Sequence, residues 1–363
     1  MTEEEGIRSP LHDQQVAQGA EFYWEDGWPW ALKFAEDPVP EYEAIRTSTG
    51  IWDLFSTCKY EVTGPDAGEL VQRRFTNDVS AMQPGSVRYG AFVNPDGKMV
   101  DDGNVYKHSD QKYWALINTA DIEDWFRETA SGLNASVEHR TTQLPMISVQ
   151  GPRSRETLAG LTDAPLEDLK YFRFLPDPVK VAGQQAWLLR TGFSGELGYE
   201  LVTDNDEAIR SLWDSLSQGG AKPFGLDAIE MARVEAGLII IGVDYQVGAT
   251  SPWDMSMDRF IKANTGCVGS EALAAYASGG APRRLKTLSF SGEAPEAGTA
   301  VTRDGAEVGT ITSPQTTPRF GAIGLAVLDR AAAVDGAELD VAGSTATVQP
   351  LSILDPQKQR PRA

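Results

Sequence analysis

Residues 87–106, VRYGAFVNPDGKMVDDGNVY, constrain the fold more than any other stretch. Val87, Tyr89, Ala91 and Val93 alternate with other residues at the period of a strand. Asn94-Pro95-Asp96-Gly97 then reads as a turn, because proline presets its own φ and Asp-Gly tolerates positive φ. Two adjacent carboxylates follow, Asp101 and Asp102, before Val105 and Tyr106 continue a second strand. Neighbours on a strand point to opposite faces, so one aspartate is expected inward and the other outward. An inward carboxylate beside a hydrophobic hairpin is costly unless it has a partner or a chemical task. On spacing alone, an acidic hairpin end in solvent is the simpler reading.

A chain of 363 residues exceeds one hydrophobic core, so two or three domains are expected. Its hydrophobic content of 41% suits packed globular structure. A formal net charge of −20 repels nucleic acid and anionic lipid, which disfavours both as partners, but it does not repel a cationic substrate. No apolar run approaches the length of a membrane helix, and MTEEEGIRSP lacks the regions of a signal peptide; a cytoplasmic location is expected. Two cysteines, Cys58 and Cys267, suggest no disulfide framework, and the scattered His12, His108 and His139 offer no metal spacing. Neither a P-loop nor GxGxxG is present.

Along the chain, residues 1–9 are polar and expected to be mobile. GAEFYWEDGWPWALKF then crowds Trp24, Trp28 and Trp30 among other aromatics, either as a core segment or as an aromatic wall for a methylated cation. Helices are expected from Gly64 to Phe75, from Asp206 to Ser217, and from Leu226 to Ala236 with Gly237 as its cap. SGGAPRR at 278–284 reads as a linker. Beyond it, LKTLSF, EVGTITS, AIGLAVL, ELDVAG and TATVQPL form a small all-β domain, giving boundaries of 1–277 and 285–355. The charged tail after Ile353 is expected to be loose.

The pattern Y-x4-N-x2-G-x3-D-D-x2-V-Y, filled by Tyr89, Asn94, Gly97, Asp101, Asp102, Val105 and Tyr106, resembles the signature of the glycine-cleavage T-protein (aminomethyltransferase) family, which includes folate-dependent demethylases. Further matches lie in order: Arg46 with Gly50–Asp53, Thr76–Asp78, Val149–Pro152, TGFSGELGYE at 191–200, Arg233 in ARVEAGL, Cys267–Leu273 and Gly309–Ser313. The resemblance implies an α+β fold, a three-domain ring around a tetrahydrofolate cavity, closed by a C-terminal β-barrel. It implies that Asp101 lies beside the reactive nitrogens as the catalytic carboxylate, and that Tyr89 and Asn118 border the folate. It implies an aromatic against the pterin, for which Phe172 is the candidate, with a core role as the alternative. Glu196 would accept two N–H bonds from the pyrimidine edge, since a carboxylate offers two acceptors and no donor. Arg233 would reach the folate, or else form internal ion pairs with Glu230 and Glu235.

One departure bears on the substrate. Many members read D-V-S-H-M where this chain reads Asp53-Leu54-Phe55-Ser56-Thr57. That puts the aminomethyl-lipoyl donor in doubt and favours a demethylase acting on a small, possibly cationic, N-, O- or S-methyl donor, with Trp24, Trp28, Trp30 and Thr57 around it. Aminomethyl transfer is the alternative, and a folate-recycling enzyme is an expected partner. A third reading is a non-catalytic folate-binding regulator. The cysteine motif K-G-C-Y-x-G-Q-E of such relatives is absent.

Overall fold

A computed structural model describes residues 6–119, 122–262 and 265–363. Of the polar start, residues 1–5 lie outside the described residues, whereas Ser9 is buried and its hydroxyl donates to Asp53 over 2.5 Å. The central hairpin forms as the spacing requires: strands Ser86–Val93 and Met99–Ser109 pair antiparallel. Its turn is closed by Asn94, whose side-chain oxygen accepts from the N–H groups of Asp96 and Lys98, and Gly97 takes φ +69. The hairpin opens a five-stranded sheet, continued by Lys112–Ile117, Cys58–Thr63 and Ser136–His139. Helix Ala67–Arg74 covers one face, burying Leu70 and Val71.

A six-stranded sheet runs in the order Val179–Val181, Gln184–Leu189, Gly198–Val202, Met146–Gln150, Gly50–Asp53, Lys222–Pro223. Strand Gly50–Asp53 belongs to this sheet and the next strand, Cys58–Thr63, to the other, so the two α+β units are interleaved through the loop 54–57. Helix Asp206–Gln218 presents Ile209, Leu212, Trp213 and Leu216 to this sheet, the stripe expected of its amphipathic spacing. Gly192 and Gly198 flank the Gln150 side chain so closely that a Cβ on either would sit within 2.4 Å of it. The glycine loop is therefore threaded around Gln150, which explains both motifs at once.

Helix Leu226–Ala236 ends at Gly237 with φ +65, as its cap requires. Strands from Arg283 to Gln349 close a six-stranded barrel. The tail beyond it differs from expectation. It crosses back over the first two units: the Leu354 N–H donates to Glu235 O, Lys358 Nζ to Ala236 O, and Arg360 to Glu196. The carbonyl of Ala363 accepts from Arg155 and Arg190. Its charges looked solvated in isolation; their partners lie more than a hundred residues away. No helix among the described residues is long and apolar enough to cross a membrane.

Candidate functional site

A cavity of about 1330 Å³ lies between the two sheets and the barrel-side segments, large enough for a ligand of several rings. Alternation on strand Met99–Ser109 sends Asp102, Asn104 and Tyr106 to it, with Tyr89 directly opposite Asn104. Asp102 is 5% exposed; Tyr89 and Tyr245 each donate a hydroxyl to it over 2.6 Å. Burial, then the neighbouring Asp101 charge, push its carboxyl up to about 7.

Asp101, the residue singled out by resemblance, is turned the other way. Its carboxylate is fully buried and does not line the cavity. It accepts from the backbone N–H groups of Asp102, Asn118 and Thr119, the Asn118 amide and the Thr119 hydroxyl. Those five donors make it the organiser of the turn after strand Lys112–Ile117. Asn118 does border the cavity, and also donates to the Asp102 carbonyl.

The glycine loop repeats this exchange. Glu196 lies away from the cavity, paired with Arg46 at 3.2 Å and Arg360 at 2.8 Å. Glu200, on the following strand, faces the cavity; the Thr191 hydroxyl donates to it. Burial pushes its carboxyl up to about 7, against the hydrogen bonds from Thr191 and Tyr106. Two buried carboxyls poised near neutrality in one cavity mark it as a place for proton chemistry and N–H recognition.

Phe172 lines the wall with φ +60, a strained conformation for a bulky residue. Its N–H donates to Arg190 O and its carbonyl accepts from Val87, so both neighbouring segments hold it there. Lys170, Arg259, Lys358 and Arg362 supply positive charge. Arg259 lies over the Phe260 ring, and burial together with Arg259 pulls the Lys358 ammonium down to about 8. These four can hold a carboxylate-bearing tail.

Trp28, Trp30 and Thr57 line the cavity; Trp24 does not. In the N-terminal hairpin, Trp24 pairs with Pro29 whereas Glu25 pairs with Trp28 and Tyr23 with Trp30. Opposite residues share a face, so Trp24 sits on the far side, against His12 and Phe22. Arg233 is also outside the cavity. It is buried between Glu230, Asp244 and Ser313, tying its helix to the barrel. Of the two ion pairs foreseen, Glu230 is the partner, while Glu235 pairs with Arg46. Removing one member of such a buried pair strands the other, so Arg233→Ala is expected to destabilise the fold by about 3–5 kcal/mol, measured by urea unfolding.

Several site residues carried no flag in the sequence. Asp102 was legible from sharing a face with Tyr106, and Glu200 from lying on the face opposite the core residue Tyr199. Tyr245, Arg259, Lys358 and Arg362 had no local signal. A reduced folate fits these groups: an acid for the pterin's N–H edge, an aromatic wall, a second acid, and cations for the glutamyl end.

The description "GCVT N-terminal domain" matches residues 11–265, and "CAF17, C-terminal beta-barrel domain" matches 283–354. The chain is 32% identical over 365 residues to an aminomethyltransferase of Bacillus velezensis, covering 98% of this chain and 99% of that protein. It is 33% identical over 361 residues to an aminomethyltransferase of Streptomyces coelicolor, covering 95% and 96%. In fold it is similar to the glycine cleavage system aminomethyltransferase T from Bartonella henselae, with a TM-score of 0.87, 22% identity, and 96% and 98% of the two chains covered. On these grounds the chain belongs to the glycine-cleavage T-protein (aminomethyltransferase) family.

Proposed function

We propose that this chain moves a one-carbon unit from an amine-bearing donor to a reduced folate held in the central cavity, in the manner of its aminomethyltransferase relatives. The observation that carries the reading is the pair of cavity carboxyls, Asp102 and Glu200, both raised to about 7 by burial. When bound, the reduced folate would supply a nucleophilic nitrogen that accepts the carbon, while the donor's C–S and C–N bonds break and its thiol and ammonia leave with the protons that the folate nitrogens lose. Glu200 accepts the N–H groups of the pyrimidine edge. Asp102, oriented by Tyr89 and Tyr245, takes the proton that this nitrogen sheds. Phe172 and Tyr89, which line the cavity, would hold the rings, and Lys170, Arg259, Lys358 and Arg362 would hold the glutamyl carboxylates.

Two signs follow. N–H donors stabilise the ionised form of Glu200 and lower its pKa, so folate binding is expected to release up to one proton near pH 7. Calorimetry in buffers of different ionisation enthalpy measures this. Turnover requires ionised Asp102, so kcat/KM is expected to rise with pH through about 7 and to level off above it. The reading itself is tested with tetrahydrofolate and an aminomethylated dihydrolipoyl donor. Formation of methylenetetrahydrofolate supports it; no transfer from this or any methyl donor by folate-loaded protein removes it.

Methyl transfer, the demethylase reading, stands second, because relatives matching nearly the whole chain are named aminomethyltransferase. One observation favours it. Where the family carries His and Met, Ser56 donates to Pro29 O and Thr57 lines the cavity, beside Trp28 and Trp30. Either reading requires a second enzyme that unloads and recycles the folate.

A further inference from the structure

The motif Gly309–Ser313 lies on barrel strand Ala306–Thr317, outside the cavity. Its ladder slips there: Ile311 pairs with Ala326 and Ser313 with Leu325, so Thr312 is an extra, bulged residue. Neighbours on a regular strand point to opposite faces, whereas the bulge aims two consecutive hydroxyls the same way. Thr312 and Ser313 both donate to one oxygen of Asp244, over 2.6 and 2.7 Å. The other oxygen of Asp244 accepts from Arg233 and from the Ile240 N–H, each over 2.9 Å. Asp244 is buried and lies outside the cavity. The next residue points back toward it. Tyr245 is buried and donates its hydroxyl to Asp102 over 2.6 Å. The two residues share a tight turn, in which the Gly242 N–H donates to Tyr245 O and the Asp244 N–H to Ile240 O. A grip on Asp244 therefore fixes where the Tyr245 ring stands. The titratable and charged groups around Asp102 are Asp101 on its own strand, Tyr89 on the paired strand, Tyr245 and Asp244 on this turn, and Arg259, which faces Tyr89.

We propose that Asp244 is a positioning residue, through which the bulged hydroxyls of the barrel hold the Tyr245 hydroxyl on Asp102. The barrel thereby reaches the cavity's acid without touching the ligand. The functional weight of this coupling rests on the role given to Asp102 above. Burial and the Asp101 charge oppose ionisation of Asp102, and the two tyrosine hydroxyls favour it. Slackening Tyr245 therefore raises the pH at which Asp102 loses its proton. Loss of the barrel hydroxyls also leaves the Asp244 charge less well satisfied, and that charge acts on Asp102 in the same direction.

The test follows Asp102 itself, by carboxyl ¹³C NMR of the full chain with its signal assigned through Asp102→Asn, beside the pH dependence of kcat/KM for transfer to tetrahydrofolate. Tyr245→Phe is expected to move the Asp102 midpoint up from about 7 by about one pH unit. Thr312→Val combined with Ser313→Ala, both outside the cavity, is expected to move it the same way by about half a unit. In that barrel variant kcat/KM falls about threefold at pH 6, and the loss shrinks toward pH 9. A purely structural role lowers kcat/KM equally at every pH, and that result overturns the proposal. So does an Asp102 midpoint that Tyr245→Phe shifts and the barrel variant leaves in place. Where the combined variant fails to fold by circular dichroism, Thr312→Val alone is read by the same criteria. Shifted midpoints in a protein that transfers nothing to tetrahydrofolate support the coupling and remove the folate reading. Unshifted midpoints in a protein that does transfer overturn the coupling and leave the folate reading standing.

Discussion

Asp102→Asn is expected to lower kcat by roughly 10²–10⁴, the range of a positioned proton acceptor, while leaving the Kd for tetrahydrofolate nearly unchanged. Asn preserves the shape of the side chain but cannot take a proton at neutral pH. Its neighbour gives a different result. Asp101 faces five donors and no ligand. In Asp101→Asn an NH2 group replaces one acceptor among them, and the loss is expected in stability, on the order of 3 kcal/mol by urea unfolding. Residual activity in that variant tracks the folded fraction. The adjacent pair thus separates a chemical role from a structural one with two isosteric changes. Equal turnover defects in two equally stable variants contradict the assignment.

Glu200→Gln is the second large effect. One of two charge-assisted acceptors becomes a donor, so the Kd for reduced folate is expected to rise by at least about 10²-fold, and the proton release on binding to disappear. Stability moves the opposite way. The Glu200 carboxyl titrates near 7 in the fold and near the ordinary value when unfolded. The folded state therefore holds that proton more tightly, a contribution present below the unfolded pKa and lost as pH rises through about 7. At pH 8 the buried charge is only partly offset by the Thr191 and Tyr106 hydroxyls, and Glu200→Gln is expected to stabilise the ligand-free protein by about 1–3 kcal/mol there, with little change at pH 5. Thermal unfolding at the two pH values measures it. By contrast Glu196→Gln is expected to weaken folate binding only modestly, through loosening of Arg360 and the tail that carries Arg362.

The sequence disclosed what local chemistry determines. The Asn94–Gly97 turn, the amphipathic stripe of Asp206–Gln218 and the Gly237 cap each depend on residues within a few positions. The small all-β domain after residue 283 followed from short strands and turns, and its closure into a barrel from the resemblance. The site was half legible. Strand parity was available: Asp102 shares a face with Tyr106, and Trp24 cannot share one with Trp28 and Trp30 if Glu25 and Trp28 flank a tight turn. The resemblance points instead to Asp101, which parity turns away from the cavity, and to Glu196, which precedes strand Gly198–Val202 in the glycine loop. Other features were closed to inspection because they depend on distant partners. The tail becomes a cavity wall only when Glu196, Ala236 and Arg190 are in place, and Arg233 finds Ser313 eighty residues on.

The central claim is that a reduced pterin is gripped by Glu200 and faced by Asp102. The most direct measurement is a crystal structure of the protein with 5-formyltetrahydrofolate. The expected result is the pyrimidine edge within hydrogen-bond distance of the Glu200 carboxylate, the Asp102 side chain toward the reactive nitrogens, and the glutamyl group among Arg259, Lys358 and Arg362. A pterin bound against Glu196 or Asp101, or lodged outside the cavity, contradicts the account.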